Sequence, residues 1–203
     1  MTHSPKDDIR ASSLAARQLV SEHLRCAEAD ALIAHLESIL DRNEPVIAYV
    51  PLPSEPGFPD LVDSLAAICG KVLLPIARTS DDGVPMPLQW AAYRAGSLVA
   101  APFGLSEPAP PWLPPTALSS ARTVLVPALA VDRHGVRLGR GAGFYDRSLR
   151  FRDPAARLIA VVRDDELVDQ LPAEAHDVAM THALTPGYGL VVLGNAAGSL
   201  ALE

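Results

Sequence analysis

Apolar positions Ile9, Leu14, Leu19 and Val20 recur at helical spacing from residue 6 to about residue 24. Ser4-Pro5 ahead of them reads as a helix start with proline at the first helical position. Residues 27–40 predict a second helix, with Ala31, Leu32, Leu36, Ile39 and Leu40 on one stripe. Arg42-Asn43-Glu44-Pro45 breaks it. Val46-Ile47-Ala48-Tyr49-Val50 follows as a short continuous apolar run, the mark of a strand buried on both faces. Residues 51–59 hold four prolines and a glycine and form a loop. A helix over 60–69 faces inward through Leu61, Leu65 and Ile68, and residues 71–75 make a second buried strand. A helix between two short apolar strands is the pattern of a βαβ unit in a parallel sheet.

Thr79-Ser80-Asp81-Asp82-Gly83 is a turn, and 86–93 and 98–101 read as strands. Residues 107–115 contain five prolines and read as a rigid surface loop, because the segments on either side are too short to fold alone. A third buried strand is expected at 123–127, a short helix at 145–151, a fourth buried strand at 158–162 and another strand at 178–184, while 190–193 fits strand or helix. No internal repeat is present. The pattern predicts one α/β domain over residues 1–203, with a mostly parallel central sheet flanked by helices and the site at the sheet's carboxyl edge.

Composition narrows the function. The chain has 203 residues, 49% hydrophobic and 20% charged, enough for one real core and unlike a disordered segment. The net charge of -7 repels nucleic-acid phosphates, so an anionic substrate needs a local basic pocket set against the global field. Cys26 and Cys69 belong to no Cys-x-x-Cys or zinc-like cluster and are expected as small buried or half-buried thiols. The polar, charged start does not have the pattern of a signal peptide, and no apolar run reaches the roughly 18 residues of a membrane span. The reading is a soluble cytoplasmic monomer; Leu202-Glu203, which resembles an expression remnant, carries no weight in it.

The most informative stretch is Arg137-Leu138-Gly139-Arg140-Gly141-Ala142-Gly143-Phe144-Tyr145-Asp146. Three alternating glycines follow a strand and a turn at 132–135 and lead into a helix. Glycines let backbone N–H groups approach an anion, the helix start adds partial positive charge, and Arg137 and Arg140 add guanidinium forks suited to phosphate. Asp146 has the chemistry to hold a magnesium ion that bridges those phosphates. The spacing is neither the dinucleotide Gly-x-Gly-x-x-Gly nor a Walker loop, and on local chemistry alone a glycine-rich turn with surface arginines is the alternative.

From Val126 to Asp146 the sequence resembles the 5-formyltetrahydrofolate cyclo-ligase (methenyltetrahydrofolate synthetase) family, whose motif runs roughly Pro-Gly-x-x-(Phe/Tyr)-Asp-x-x-Gly-x-Arg-Leu-Gly-x-Gly-x-Gly-Tyr-Tyr-Asp, with Phe144 here in place of one tyrosine. Lys6 and Arg10, on one helix face, and Arg17 beyond them resemble the family's N-terminal helix that contacts ATP phosphates. Residues 49–55 resemble its folate-binding segment, and 171–178 its late Leu-Pro-x-Glu-x-His-Asp segment, so the likeness spans about residues 6–186.

The resemblance implies ATP- and magnesium-dependent closure of 5-formyltetrahydrofolate to 5,10-methenyltetrahydrofolate, with ADP and phosphate released. It assigns ATP to Lys6, Arg10, Arg137, Leu138, Gly139, Arg140, Gly141, Ala142, Gly143, Phe144 and Tyr145. The folate falls to Val50, Glu55, Arg140, Gly141, Ala142, Gly143 and Phe144, the metal to Asp146, and catalytic roles to Arg140 and Tyr145. Of His176 and Asp177, one is expected to be structural, and Trp90 and Trp112 are expected to pack. The family usually carries a second metal-side carboxylate where this chain has Thr181, which would coordinate weakly or through water. That departure keeps alive a divergent paralogue that binds a folate or another phosphate-bearing metabolite without this turnover. A sugar-phosphate isomerase, an acyl-CoA transferase and a non-enzymatic nucleotide-binding module are the other readings.

Overall fold

The computed structural model describes residues 4–174 and 177–194; His176 and Leu202-Glu203 lie outside them. Helix α1 (Pro5–Leu19) starts as expected, with the Ser4 hydroxyl accepting from the Lys6 N–H at 3.3 Å. It ends five residues short of the expectation. Val20 turns extended, and Ser21 caps α2 (Glu22–Ile39) by accepting from the Leu24 N–H at 3.3 Å. A serine N-cap inside an apolar helical pattern thus splits the segment at 20–21 and starts the second helix before residue 27.

Strand β1 (Val46–Ile47), helix α3 (Leu61–Ile68) and strand β2 (Val72–Ile76) form the βαβ unit, with β1 and β2 parallel. Strand β3 (Gln89–Ala92) returns antiparallel to β2, and β4 (Leu98–Ala100) pairs with β5 (Ser106–Pro108) in a small ribbon. The proline-rich stretch therefore begins inside a strand, and a 3-10 segment at Pro115–Ser120 follows it. Strand β6 (Thr123–Pro127) leads to the short β7 (Ala130–Asp132) and β8 (Arg137–Leu138), then helix α4 (Phe144–Ser148). Strands β9 (Arg157–Val161), β10 (Leu167–Val168), β11 (His182–Thr185) and β12 (Gly189–Val192) complete the chain. The expected strand at 178–184 is confined to its end and runs one residue past it, and β10 had no apolar run long enough to announce it.

The main sheet has the order β12-β11-β9-β6-β1-β2-β3. Its five inner strands are parallel, and β3 and β12 are antiparallel edges. Alternation along each strand sends neighbours to opposite faces, and both faces are buried. Val124, Val126, Leu158 and Ala160 pack with Trp90, Leu118 and Leu149 on one side; Leu125, Ile159 and Val161 pack with Leu32, Leu36, Leu61 and Leu65 on the other. Trp90 is wholly buried packing, and Trp112 lies under the Arg78 guanidinium at 4.4 Å. Cys69 is buried, but Cys26 is exposed, because it sits on the outer face of α2.

Beside β9, the His182 imidazole is half-buried and meets the Thr181 hydroxyl at 2.8 Å. Burial, and then the charge of Arg157, hold its pKa below the ordinary histidine value. The folded state thus favours the neutral ring, and its contribution to stability is intact above the unfolded value near ~6.5. It is lost as pH falls from there towards the folded pKa. Urea midpoints should fall over this window, before the carboxylates titrate, and His182→Asn should flatten that part of the slope.

Candidate active site

The strand order reverses between β6 and β1. From β1 the chain moves to β2 and β3 on one side, and from β6 to β9, β11 and β12 on the other. Connections leaving in opposite directions open a crevice at the carboxyl ends of these strands. A cavity of about 670 Å³ occupies it. Tyr49 and Val50 after β1, and Pro127 and Ala128 at the end of β6, form its floor. The first two turns of α1, the proline loop and the whole stretch from Arg137 to Asp146 form its walls. Every residue assigned from the sequence to ATP, folate or metal lines this one cavity.

Lys6 and Arg10 both reach it, as their spacing on one helix face requires. Lys6 is buried, and its ammonium lies 3.0 Å from both Asp177 and Glu174. Burial would lower its pKa, but the hydrogen bonds and charges of those two carboxylates outweigh this and raise it, so the group stays cationic. Asp177 also accepts from the Glu174 N–H at 2.8 Å and lines the cavity itself. Arg10 donates to the Gly139 carbonyl at 3.0 Å, and so ties α1 to the glycine loop.

The loop owes its path to glycine at two points. Gly141 and Gly143 have φ of 97° and 74°, and Gly143 caps α4 in the left-handed region. Arg140 reaches across the cavity to Glu55 at 3.1 Å. The other Glu55 oxygen accepts from the Leu52 N–H at 3.0 Å, so this buried carboxylate is fixed by its own loop. Arg137 is buried beside Asp146, at 2.6 Å from one carboxylate oxygen, and lies over the Tyr145 ring at 5.5 Å. The Tyr145 hydroxyl is buried with no hydrogen-bond partner among the described residues. Burial raises its pKa well above the ordinary tyrosine value, against the opposing charge of Arg137, so it remains a protonated donor. An orphaned buried hydroxyl on a cavity wall can donate to a bound ligand or to water.

Two expectations change. Arg17 does not join the cavity. It is 1% exposed and holds Glu166 through two bonds of 2.7 and 2.8 Å while donating to the Ala128 carbonyl at 2.6 Å. Thr181 is not on the cavity wall either: its hydroxyl is bonded to the Leu158 backbone, accepting from N–H at 2.9 Å and donating to the carbonyl at 3.1 Å. Sequence reasoning in turn missed Phe103 at the cavity mouth, whose ring stands 5.8 Å from that of Phe144. Its positive φ of 64° had no signal in the sequence.

A reversal of strand order with a ligand-sized crevice at the strand ends places the protein among the doubly wound α/β proteins that bind their ligands there. Within that class, the profile of the 5-formyltetrahydrofolate cyclo-ligase family matches residues 2–186. The chain belongs to this family. It is 54% identical over 193 residues to a 5-formyltetrahydrofolate cyclo-ligase of Mycolicibacterium smegmatis, covering 95% of this chain and 100% of that one. A 5-formyltetrahydrofolate cyclo-ligase of Escherichia coli strain K12 is 36% identical over 70 residues, 34% of this chain and 38% of its own length. The fold is that of the Aquifex aeolicus 5,10-methenyltetrahydrofolate synthetase, with a TM-score of 0.78 at 23% identity over 98% of this chain and 97% of the other. A 5,10-methenyltetrahydrofolate synthetase from Mycoplasma pneumoniae gives 0.64 at 18% identity over 87% and 96%.

Proposed function

We propose that the protein is a 5-formyltetrahydrofolate cyclo-ligase, which closes 5-formyltetrahydrofolate to 5,10-methenyltetrahydrofolate and splits ATP to ADP and phosphate. The observation that carries this is the convergence of Lys6, Arg10, Arg137, Arg140 and the unpartnered Tyr145 hydroxyl on one cavity at the strand-order reversal. In this reading the formyl oxygen attacks the γ-phosphorus of ATP, and the bond to ADP breaks. N10 then attacks the formyl carbon, loses its proton, and phosphate departs with the former formyl oxygen. Such a reaction needs reactants held in line and charge neutralised, with little covalent work from the protein.

Lys6 and Arg10 bind phosphate oxygens from α1, and the Gly139–Gly143 loop brings its N–H groups to them. Arg140 faces the transferred phosphoryl group, and Tyr145 donates to a phosphate or formyl oxygen. Glu55 meets the donor edge of the pterin, Val50 its face, and Phe144 packs on a ring of the folate or the adenine. Exchange of the carboxylate partners of Lys6 and Arg140 for phosphate is what lets the cavity bind anions in a protein of net charge -7.

Among the described residues, no group of three or more His, Cys, Asp or Glu side chains is placed to hold a metal ion alone. Magnesium suits the site nonetheless, because it is commonly held by one or two carboxylates together with substrate phosphates. Asp146 is the residue to hold it: one oxygen is taken by Arg137, and the other is left for the cation. Bound there, magnesium would neutralise phosphate charge. Thr181, bonded to the Leu158 backbone, offers no carboxylate to this site, so in this reading Asp146 and the phosphates hold the cation.

No helix among the described residues is long and apolar enough to cross a membrane. We further read the protein as a cytoplasmic monomer. Heavy oxygen placed in the formyl group tests the chemistry: the label should appear in the released phosphate, and label retained in water or folate would exclude phosphoryl transfer to that oxygen.

A further inference from the structure

Behind the cavity, a buried ionic junction has no part in the reaction as described. Arg163 follows β9 at the carboxyl edge of the sheet and is 5% exposed. Its Nε donates to Glu28 of α2 at 2.8 Å, and its Nη1 donates to the Ser54 carbonyl at 3.2 Å. Ser54 precedes Glu55, so this bond grips the proline loop one residue from the carboxylate that lines the cavity. The backbone N–H of Arg163 donates to Glu166 at 2.9 Å, and Glu166 in turn holds Arg17 of α1. One guanidinium therefore joins α2, the sheet edge and the proline loop, and its backbone ties in α1.

A proline-rich loop has few backbone N–H groups with which to fix itself. The Glu55 carboxylate takes one of them, from Leu52, and its remaining protein bond is to Arg140, a residue that phosphate would draw away. When that happens, the place of Glu55 depends on what holds its loop from behind. Burial raises the pKa of Glu28, against the charge of Arg163. The junction thus buries a carboxylate at a cost, and a site left to packing alone would not need it.

We propose that Arg163 is a positioning residue for the folate substrate, acting through the Ser54 carbonyl to set the place of Glu55. The proposal rests on the folate reading of Glu55 given above. Arg163 does not line the cavity, so its effect belongs to folate affinity and not to nucleotide binding or to the chemical step.

Steady-state kinetics of Arg163→Met, Glu55→Ala and the double variant test it, with urea unfolding of each to restrict the comparison to folded protein. Arg163→Met should raise the KM for 5-formyltetrahydrofolate about tenfold while leaving the KM for ATP and kcat close to wild type. In the Glu55→Ala background the same substitution should change the folate KM no further, because the group it positions is gone. Equal rises in both KM values, a loss confined to kcat, or a full additional rise in the double variant would overturn the proposal. If Arg163→Met does not fold, Arg163→Lys, which keeps the charge but lacks the planar fork that spans Glu28 and Ser54, is read by the same criteria. Failure of the folate reading itself would show separately, as a folate KM unchanged by Glu55→Ala alone.

Discussion

Lys6→Ala should lower kcat/KM for ATP by about a hundredfold or more, the usual scale for removing one charged donor from a phosphoryl-transfer site. The ammonium lies on the cavity wall, largely covered by its neighbours. Without ligand it is held by Asp177 and Glu174, each at 3.0 Å, so it arrives oriented. Its pKa is raised, so the loss should be the same at neutral and mildly alkaline pH. Lys6→Arg should recover part of the activity, because it restores the charge with a different geometry. Initial-rate kinetics at saturating folate check this; activity within about twofold of wild type in Lys6→Ala would remove Lys6 from the site.

Arg17→Ala should cost about 3 kcal/mol of stability, the low end for breaking a buried ion pair from one side. Arg17 is 1% exposed, Glu166 is 9% exposed, and two bonds join them. The substitution leaves that carboxylate short of its main partner and the Ala128 carbonyl without its donor. In a chain of this size the midpoint of thermal unfolding should drop by roughly 6–12 °C. The same variant separates two roles for Arg17. As an internal strut it leaves the KM for ATP unchanged in folded protein, whereas a phosphate ligand would raise that KM and spare the fold.

That contrast marks where sequence reading was sufficient. The buried strands of the sheet were legible because a strand covered on both faces has to be a short, continuous apolar run; β6 was bounded to the residue. The loop from Arg137 to Asp146 stood out because alternating glycines, two arginines and a carboxylate ahead of a helix suit an anion, although a glycine-rich turn with surface arginines has the same local pattern. Its residues line one cavity together with Lys6, Arg10, Val50 and Glu55.

Charge partners were not legible, since they come from distant parts of the chain. Lys6 meets Asp177 across the length of the protein, and nothing local distinguishes Arg10, which faces the cavity, from Arg17, which is buried behind it. Helix phase does not separate them, since seven residues make nearly two turns; position along the axis does, with Lys6 and Arg10 lining the cavity and Arg17 lying about 10 Å further along α1. Thr181 misled for a similar reason. A position in an alignment gives a residue type, and here the sheet has taken the hydroxyl for the Leu158 backbone.

The central claim is turnover, and the most direct measurement is absorbance in the methenyl-folate band during incubation with 5-formyltetrahydrofolate, ATP and magnesium. Wild-type protein is run beside Lys6→Ala and Asp146→Ala, each first shown to be folded. The account predicts product growth that requires ATP, falls on chelation of magnesium, and is largely lost in both variants. No product from folded wild-type protein at ample magnesium would contradict it, and product growth that ignores both substitutions would place the chemistry somewhere other than this cavity.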